Sequence, residues 1–417
     1  MRSSNGVGDI KQKSASVRRR ILASCVFAGF VGVLGLGGCS TLGYYQQAVS
    51  GQLRLLSNRR SVSRLLAEPS TDAQLARQLR VAQEALGYAR EELGLKVGKR
   101  YGSYSKLKGD FVVWNLVVAS PDSVQPRQWC FPVAGCVSYR GYFNEARARR
   151  VAEQFKAQGY DVYVGGVAAY STLGWFNDPL LSSFIYWPRP ALVQLLLHEL
   201  AHGELYVPGD TEFNESFASF VAERGISNWL LDDAQLGPEV VRQRQRRAEL
   251  NRFNALLIRL RSRLKQDFGN IGSNASVLDI RVERYAQARE CVRRWSAENA
   301  IERFNKYFAE PPNMARLALA AAYNRWIPAF DQLFVESRVV DGSIGEKSGG
   351  NWPAFYAAAA RLGDLPIEQR QIALQRLLGS GEARLQQQIK TPGDHNDPGE
   401  IRCEALADHV GDGDVAG

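Results

Sequence analysis

The chain has 417 residues, enough for one large domain or two ordinary ones, and its 45% hydrophobic content can fill a sizeable core. The formal net charge of +9 is concentrated at the start: residues 1–38 hold six Lys/Arg against one acidic residue, leaving a small positive excess on the rest. Charges scattered over a nearly neutral remainder give no footprint for nucleic acid, and none is expected as a partner.

Residues 1–38 read as a targeting segment, a signal peptide. A basic stretch ends in Arg18-Arg19-Arg20, an apolar run follows from Ile21 to Leu36, and Leu36-Gly37-Gly38-Cys39 closes it. An uncleaved membrane anchor is the alternative, since the run approaches spanning length, but five glycines between Gly29 and Gly38 make it a poor helix. The closing tetrapeptide resembles the lipobox of bacterial lipoproteins, which implies cleavage before Cys39 and lipidation of that cysteine. By the same resemblance Ser40, where an aspartate would be the retention signal, implies the outer membrane. The expectation is a lipid-anchored protein of the bacterial cell envelope, facing the periplasm, with its folded domain over 39–389. In that oxidising compartment Cys130 and Cys136 are expected to close the loop WCFPVAGC as a disulfide, with Pro132 and Gly135 favouring the turn. A zinc knuckle is the alternative, but no second cysteine pair stands nearby.

Further along, apolar residues recur at three and four from Tyr44 to Leu93, a helical pattern punctuated by Gly94 and Gly98. Over 100–176 the period changes. FVVWNLVVAS (111–120), CVSYRGYF (136–143) and VYVGGVAAYSTLGWF (162–176) suit strands of a small mixed sheet, with a helix over Asn144–Gln158 closed by Gly159. Active-site helices are expected over 190–225 and further helices over 237–385. Among the latter, Arg242–Leu264 carries many arginines, read as a solvated face on a core-packing helix. Others are expected near Val282–Phe308 and Asn313–Leu333. The polar, proline- and glycine-containing stretch 390–417 reads as a disordered tail. The fold class is α+β and predominantly helical.

Two of the four histidines stand in HELAH, His198 to His202, behind the apolar run LVQLLL. Residues i and i+4 of a helix share a face one turn apart, so both imidazoles can reach one metal ion. Glu199 stands beside them, placed to take a proton from a water that the metal activates. That chemistry belongs to zinc, the expected cofactor. Two histidines on an ordinary helix are the plain alternative, but burying imidazoles without a partner is costly. The extension of the metzincins is absent, because Leu205 and Pro208 occupy its positions.

Downstream, Asn214-Glu215-Ser216-Phe217-Ala218 resembles the glutamate-bearing helix of the gluzincin metallopeptidases, which implies Glu215 as third ligand. Asp210 and Glu212 are rivals with ordinary capping roles, and Glu223, two turns on, is read as surface or as support for a ligand. The wider pattern, WCFPVAGCVSYRGYF, VGGVAAYSTLGWFNDPLL and GDTEFNESFA, resembles a family of bacterial proteins described as aminopeptidases, from about Gly43 to about residue 385. The resemblance implies a zincin-like fold and a peptide or protein substrate. An oxyanion donor is expected from Tyr323 in AAAYNRW, with a satisfied core tyrosine as the alternative. Gly165, Gly166 and Tyr170 mark a strand edge that can pair with an extended peptide, or a plain core strand. Two other functional readings stand beside the peptidase: a lipoprotein scaffold with a structural zinc site, and a zinc hydrolase of other amides or esters. Oligomeric state is left open by the sequence.

Overall fold

The computed structural model describes residues 43–131, 134–169, 177–231, 237–272, 275–337, 339–340, 343–344 and 351–389. Cys39, Tyr170, the segment 1–38 and the segment 390–417 lie outside the described residues. Two compact units are formed, Met1–Arg54 and Leu55–Gly417. The described part of the first, 43–54, is helical. All that follows concerns the second unit.

This unit is α+β and mostly helical, and its strands are distributed over several small sheets. The apolar periodicity that predicted one helical stretch up to Leu93 is interrupted. A short strand β1 (Arg60–Ser61) is followed by α1 (Val62–Ala67) and α2 (Ala73–Glu91). Ser61 caps α1, and Asp72 caps α2 by accepting the Leu75 N–H at 2.8 Å. Short polar side chains that bond the local backbone start new helices even where the apolar spacing runs on.

The expected single mixed sheet is divided. β2 (Ser103–Ser105) lies between β1, antiparallel, and β8 (Leu180–Leu181), parallel. β3 (Val113–Ala119) is the centre of a separate antiparallel sheet, flanked by β6 (Arg140–Tyr142) and β7 (Asp161–Val167). Between these two edges α3 (Glu145–Lys156) runs from its Asn144 cap to Gly159, which has φ 84°. A parallel pair needs a long crossover, and among the described residues one is made, from β2 through the whole antiparallel sheet to β8. β4 (Trp129–Phe131) and β5 (Gly135–Val137) form a hairpin in which Cys130 faces Cys136 and is disulfide-bonded to it.

The two helices that follow β8 are the interior of the unit. On α4 (Arg189–Ala201), Leu192, Val193, Leu196, Leu197, Leu200 and Ala201 have no exposed surface; on α5 (Thr211–Leu231) the same holds for Phe213, Phe217, Ala218 and Val221. A helix apolar on most sides is one the fold surrounds. Their core is completed by α2, α9 (Ile327–Glu336) and α10 (Trp352–Gly363). A second core joins β3 to α6 (Gly237–Gly269), α7 (Val277–Asn299) and α8 (Met314–Asn324). The stretch expected as one helix over Asn313–Leu333 is thus two. Pro328 stands in the first turn of the second, and the Trp326 N–H between them donates to Ser216 Oγ of α5 at 3.2 Å. On α6 the arginine face is not wholly solvated: Arg261 is buried and donates to the Val124 carbonyl at 3.3 Å.

The disulfide hairpin rests on the turn between α4 and α5. Gly135 has φ 71°, and a Cβ there would stand 2.6 Å from the Gly209 backbone nitrogen. Tyr206 Oη donates to the Ala134 carbonyl at 3.0 Å. Gly135→Ala should therefore destabilise the protein by roughly 1–3 kcal/mol, through overpacking and an unfavourable φ, as read from urea unfolding midpoints.

Candidate metal centre

His198 and His202 lie one turn apart near the C-terminal end of α4, and Glu215 lies in the second turn of α5. What brings them together is the Val207-Pro208-Gly209-Asp210 turn, in which Gly209 takes φ 86°. Asn214 spans it, accepting the Val207 N–H and donating to the Val207 carbonyl, both at 2.7 Å. Asp210 caps α5 through the Phe213 N–H at 3.0 Å, while its other oxygen accepts from buried Arg370 at 2.6 Å. Gly225, two to three turns further on, lets α5 approach closely: a Cβ there would lie 2.9 Å from Leu197 Cδ1.

The resulting donor set is tight. His198 Nε2 and His202 Nε2 are 3.2 Å apart, and Glu215 Oε2 stands 3.3 Å from the first and 3.6 Å from the second. Zinc bound tetrahedrally at about 2.0–2.2 Å sets its ligand atoms roughly 3.3–3.6 Å apart, so the three donors fit one face of that tetrahedron. His198, His202 and Glu215 form a group that could hold a metal ion, with its ligand atoms within 4.8 Å of one another. The rival carboxylates are occupied elsewhere. Asp210 is held by Arg370, and Glu212 accepts from Arg261 at 2.9 Å and Arg325 at 2.8 Å.

The electrostatics suit a cation. Burial alone would raise the Glu215 carboxyl, but His202 and His198 outweigh it and bring the group down to about 2. Burial opposes a proton on His202, yet Glu215 and Glu199 lift it above the ordinary imidazole value. Glu199 is raised above the usual carboxylate range by burial, with the two imidazoles partly offsetting this. A raised carboxyl beside the donor set is a group suited to accepting and returning a proton.

Tyr323, at the end of α8, stacks on His198 with ring centroids 6.3 Å apart and planes at 22°. The charge of Glu215, then burial, holds its phenol far above the ordinary value, so it remains a neutral donor. Ser216 fixes that helix end, donating to the Ala322 carbonyl at 3.4 Å as well as accepting from Trp326. Gly165 and Gly166 lie on β7, an edge strand of its sheet. The Phe111 ring covers Gly166 where a Cβ would stand, and the Val162 carbonyl accepts from Asn313 at 3.0 Å. Close packing against Phe111 thus accounts for the Gly166 residue type.

Two neighbours escaped the sequence reading. Tyr101 is buried with a left-handed backbone at φ 60°, its N–H donating to the Asp178 carbonyl at 2.7 Å. Burial first, then the nearby charges of Glu199 and Asp178, push its phenol well up. Arg100 lies against Gly203, where a side chain would collide with its guanidinium. Neither residue sits in a motif; the only signal was the glycine pair Gly98 and Gly102 around them.

A family model described as "Aminopep: Putative aminopeptidase" matches residues 43–374, and the chain belongs to that family. Neither the curated proteins nor the solved structures contain a match to it.

Removing Arg370 would leave Asp210 buried without its counter-charge. Arg370→Met is expected to cost about 3–5 kcal/mol of stability in chemical denaturation.

Proposed function

We propose that this protein is a zinc peptidase, of aminopeptidase type, tethered by lipid to the bacterial cell envelope. The observation that carries the reading is the donor triangle of His198, His202 and Glu215, with Glu199 beside it. Family membership supports peptide hydrolysis. When bound, zinc supplies Lewis acidity that brings the pKa of water to near 7. Glu199 takes the proton from the attacking water and returns it to the leaving amine. The Tyr323 hydroxyl donates to the oxygen that becomes negative as the carbonyl is attacked. Glu199 also favours catalysis over the scaffold reading, because a structural zinc site needs no base and is closed by a fourth ligand.

The anchor reading rests on the Leu36-Gly37-Gly38-Cys39 sequence. Among the described residues no helix is long and apolar enough to cross a membrane. Mass spectrometry of the mature protein should find an acylated cysteine 39 at the N-terminus; an intact Met1 on the membrane-bound form overturns it.

Changes at the two glutamates separate ligand from base. Glu199→Gln should keep near-stoichiometric zinc while peptide hydrolysis falls by at least about a hundredfold. Glu215→Ala should lose zinc yet stay folded, since the core around α4 and α5 forms from apolar side chains. Metal analysis and circular dichroism check both, and wild-type zinc content and activity in Glu215→Ala would refute the ligand assignment. Tyr323→Phe should retain zinc and lose about a hundredfold in kcat, the scale of one oxyanion donor.

A further inference from the structure

A cavity of about 450 Å³ lies between α4, α5, α6 and the start of α9. Its place follows from helical phase. Gln194, on its wall, stands four residues before His198 on α4, and Glu223 stands eight residues after Glu215 on α5. Both therefore lie on the faces that carry the ligands. Because the chain reverses at the turn near Gly209, residues before His198 and after Glu215 meet at the same end of the helix pair. At 1.5 Å per residue, the cavity begins about 6 Å from the ligands on α4 and about 8 Å from Glu215 on α5, at Phe220, and runs to about 22 Å at Leu230. An extended peptide reaches that near end in about two to three residues.

Its chemistry is that of an uncharged guest. Phe220, Ile226, Leu230 and Ile327 supply apolar walls. The charges that line it are engaged with one another: Arg247 is ion-paired with Glu223, and Arg224 reaches Asp331 at 4.0 Å while lying over the Phe334 ring. Two acids and two arginines leave the lining neutral on balance, so a charged guest would lose its hydration without a net counter-charge. Burial also draws Arg247 down to about 10, which fits poorly hydrated surroundings. The volume falls within the range of small-ligand pockets.

We propose that this cavity is a specificity subsite, which takes a large uncharged side chain of the substrate peptide (leucine, methionine or phenylalanine) within four residues of the scissile bond. The proposal rests on the peptidase reading. Its test is a randomised peptide library digested by the full chain loaded with zinc, with cleavage positions read by mass spectrometry. One position within four residues of the cut should favour Leu, Met or Phe over Gly, Asp or Lys by at least about tenfold in kcat/KM. Ala248→Trp, which places an indole in the cavity, should reduce that preference at least about tenfold with zinc content unchanged. Asn251→Trp, at an exposed rim position, provides the same readout should Ala248→Trp not fold. A preference for a charged residue there, or one unmoved in a folded, zinc-loaded variant, overturns the subsite alone. A wild-type protein that holds zinc and cleaves no library member overturns the peptidase reading, and the subsite with it.

Discussion

Two imidazoles and a carboxylate must be held against one another inside the protein, on the facing sides of two antiparallel helices. Three polar groups in such a place are unfavourable unless their charges and lone pairs are answered. Here they answer one another at 3.2–3.6 Å. The spacing depends on the few residues that reverse the chain between α4 and α5. Gly209 permits the turn, Asn214 closes it by two hydrogen bonds, and Asp210 begins the second helix.

Other parts of the fold support that turn from outside. The disulfide hairpin leans on it through Gly135, and Tyr206 ties the same hairpin to the end of α4. Arg370, far along the chain on α11 (Ile367–Ile389), neutralises Asp210 and also bonds the Gly363 and Leu365 carbonyls. Arg261 and Arg325 hold Glu212 away from the donor set. A buried ion pair adds little net stability by itself, but losing one partner is costly. In this protein such pairs occupy Asp210 and Glu212, the other two carboxylates at the start of α5.

The short motif Asn214-Glu215-Ser216 gathers three tasks in consecutive residues. Asn214 fixes the turn, Glu215 completes the donor set, and Ser216 docks the end of α8, so that Tyr323 stacks beside His198. Successive helical positions point about 100° apart, which is why three adjacent side chains reach three different neighbours. The same register carries the ligand faces on toward Gln194 and Glu223, which line the cavity between α4, α5, α6 and α9.

Local features carried much of this in the sequence. HELAH states its own geometry, because four residues make one helical turn, and the caps at Asn144 and Asp210 and the turn at Gly159 are readable from residue type. The strands at 113–119, 140–142 and 161–167 announced themselves by composition, as did the largely helical remainder. The sequence could not show how those strands divide into sheets, since pairing joins residues distant in the chain. Nor could it show that Asn313–Leu333 breaks at Trp326, because the partner that takes the freed N–H, Ser216, lies about a hundred residues earlier. Tyr101 and Arg100 come beside the metal centre only through the pairing of Tyr101 with Asp178 and the bare backbone at Gly203. Which arginines of α6 are solvated and which are buried was likewise decided by acids and carbonyls on other elements. Periodicity and caps act within a turn or two of chain, whereas ion pairs and close packing act across space. For that reason the sequence alone determined the donor types, and the tertiary structure decided which of them meet.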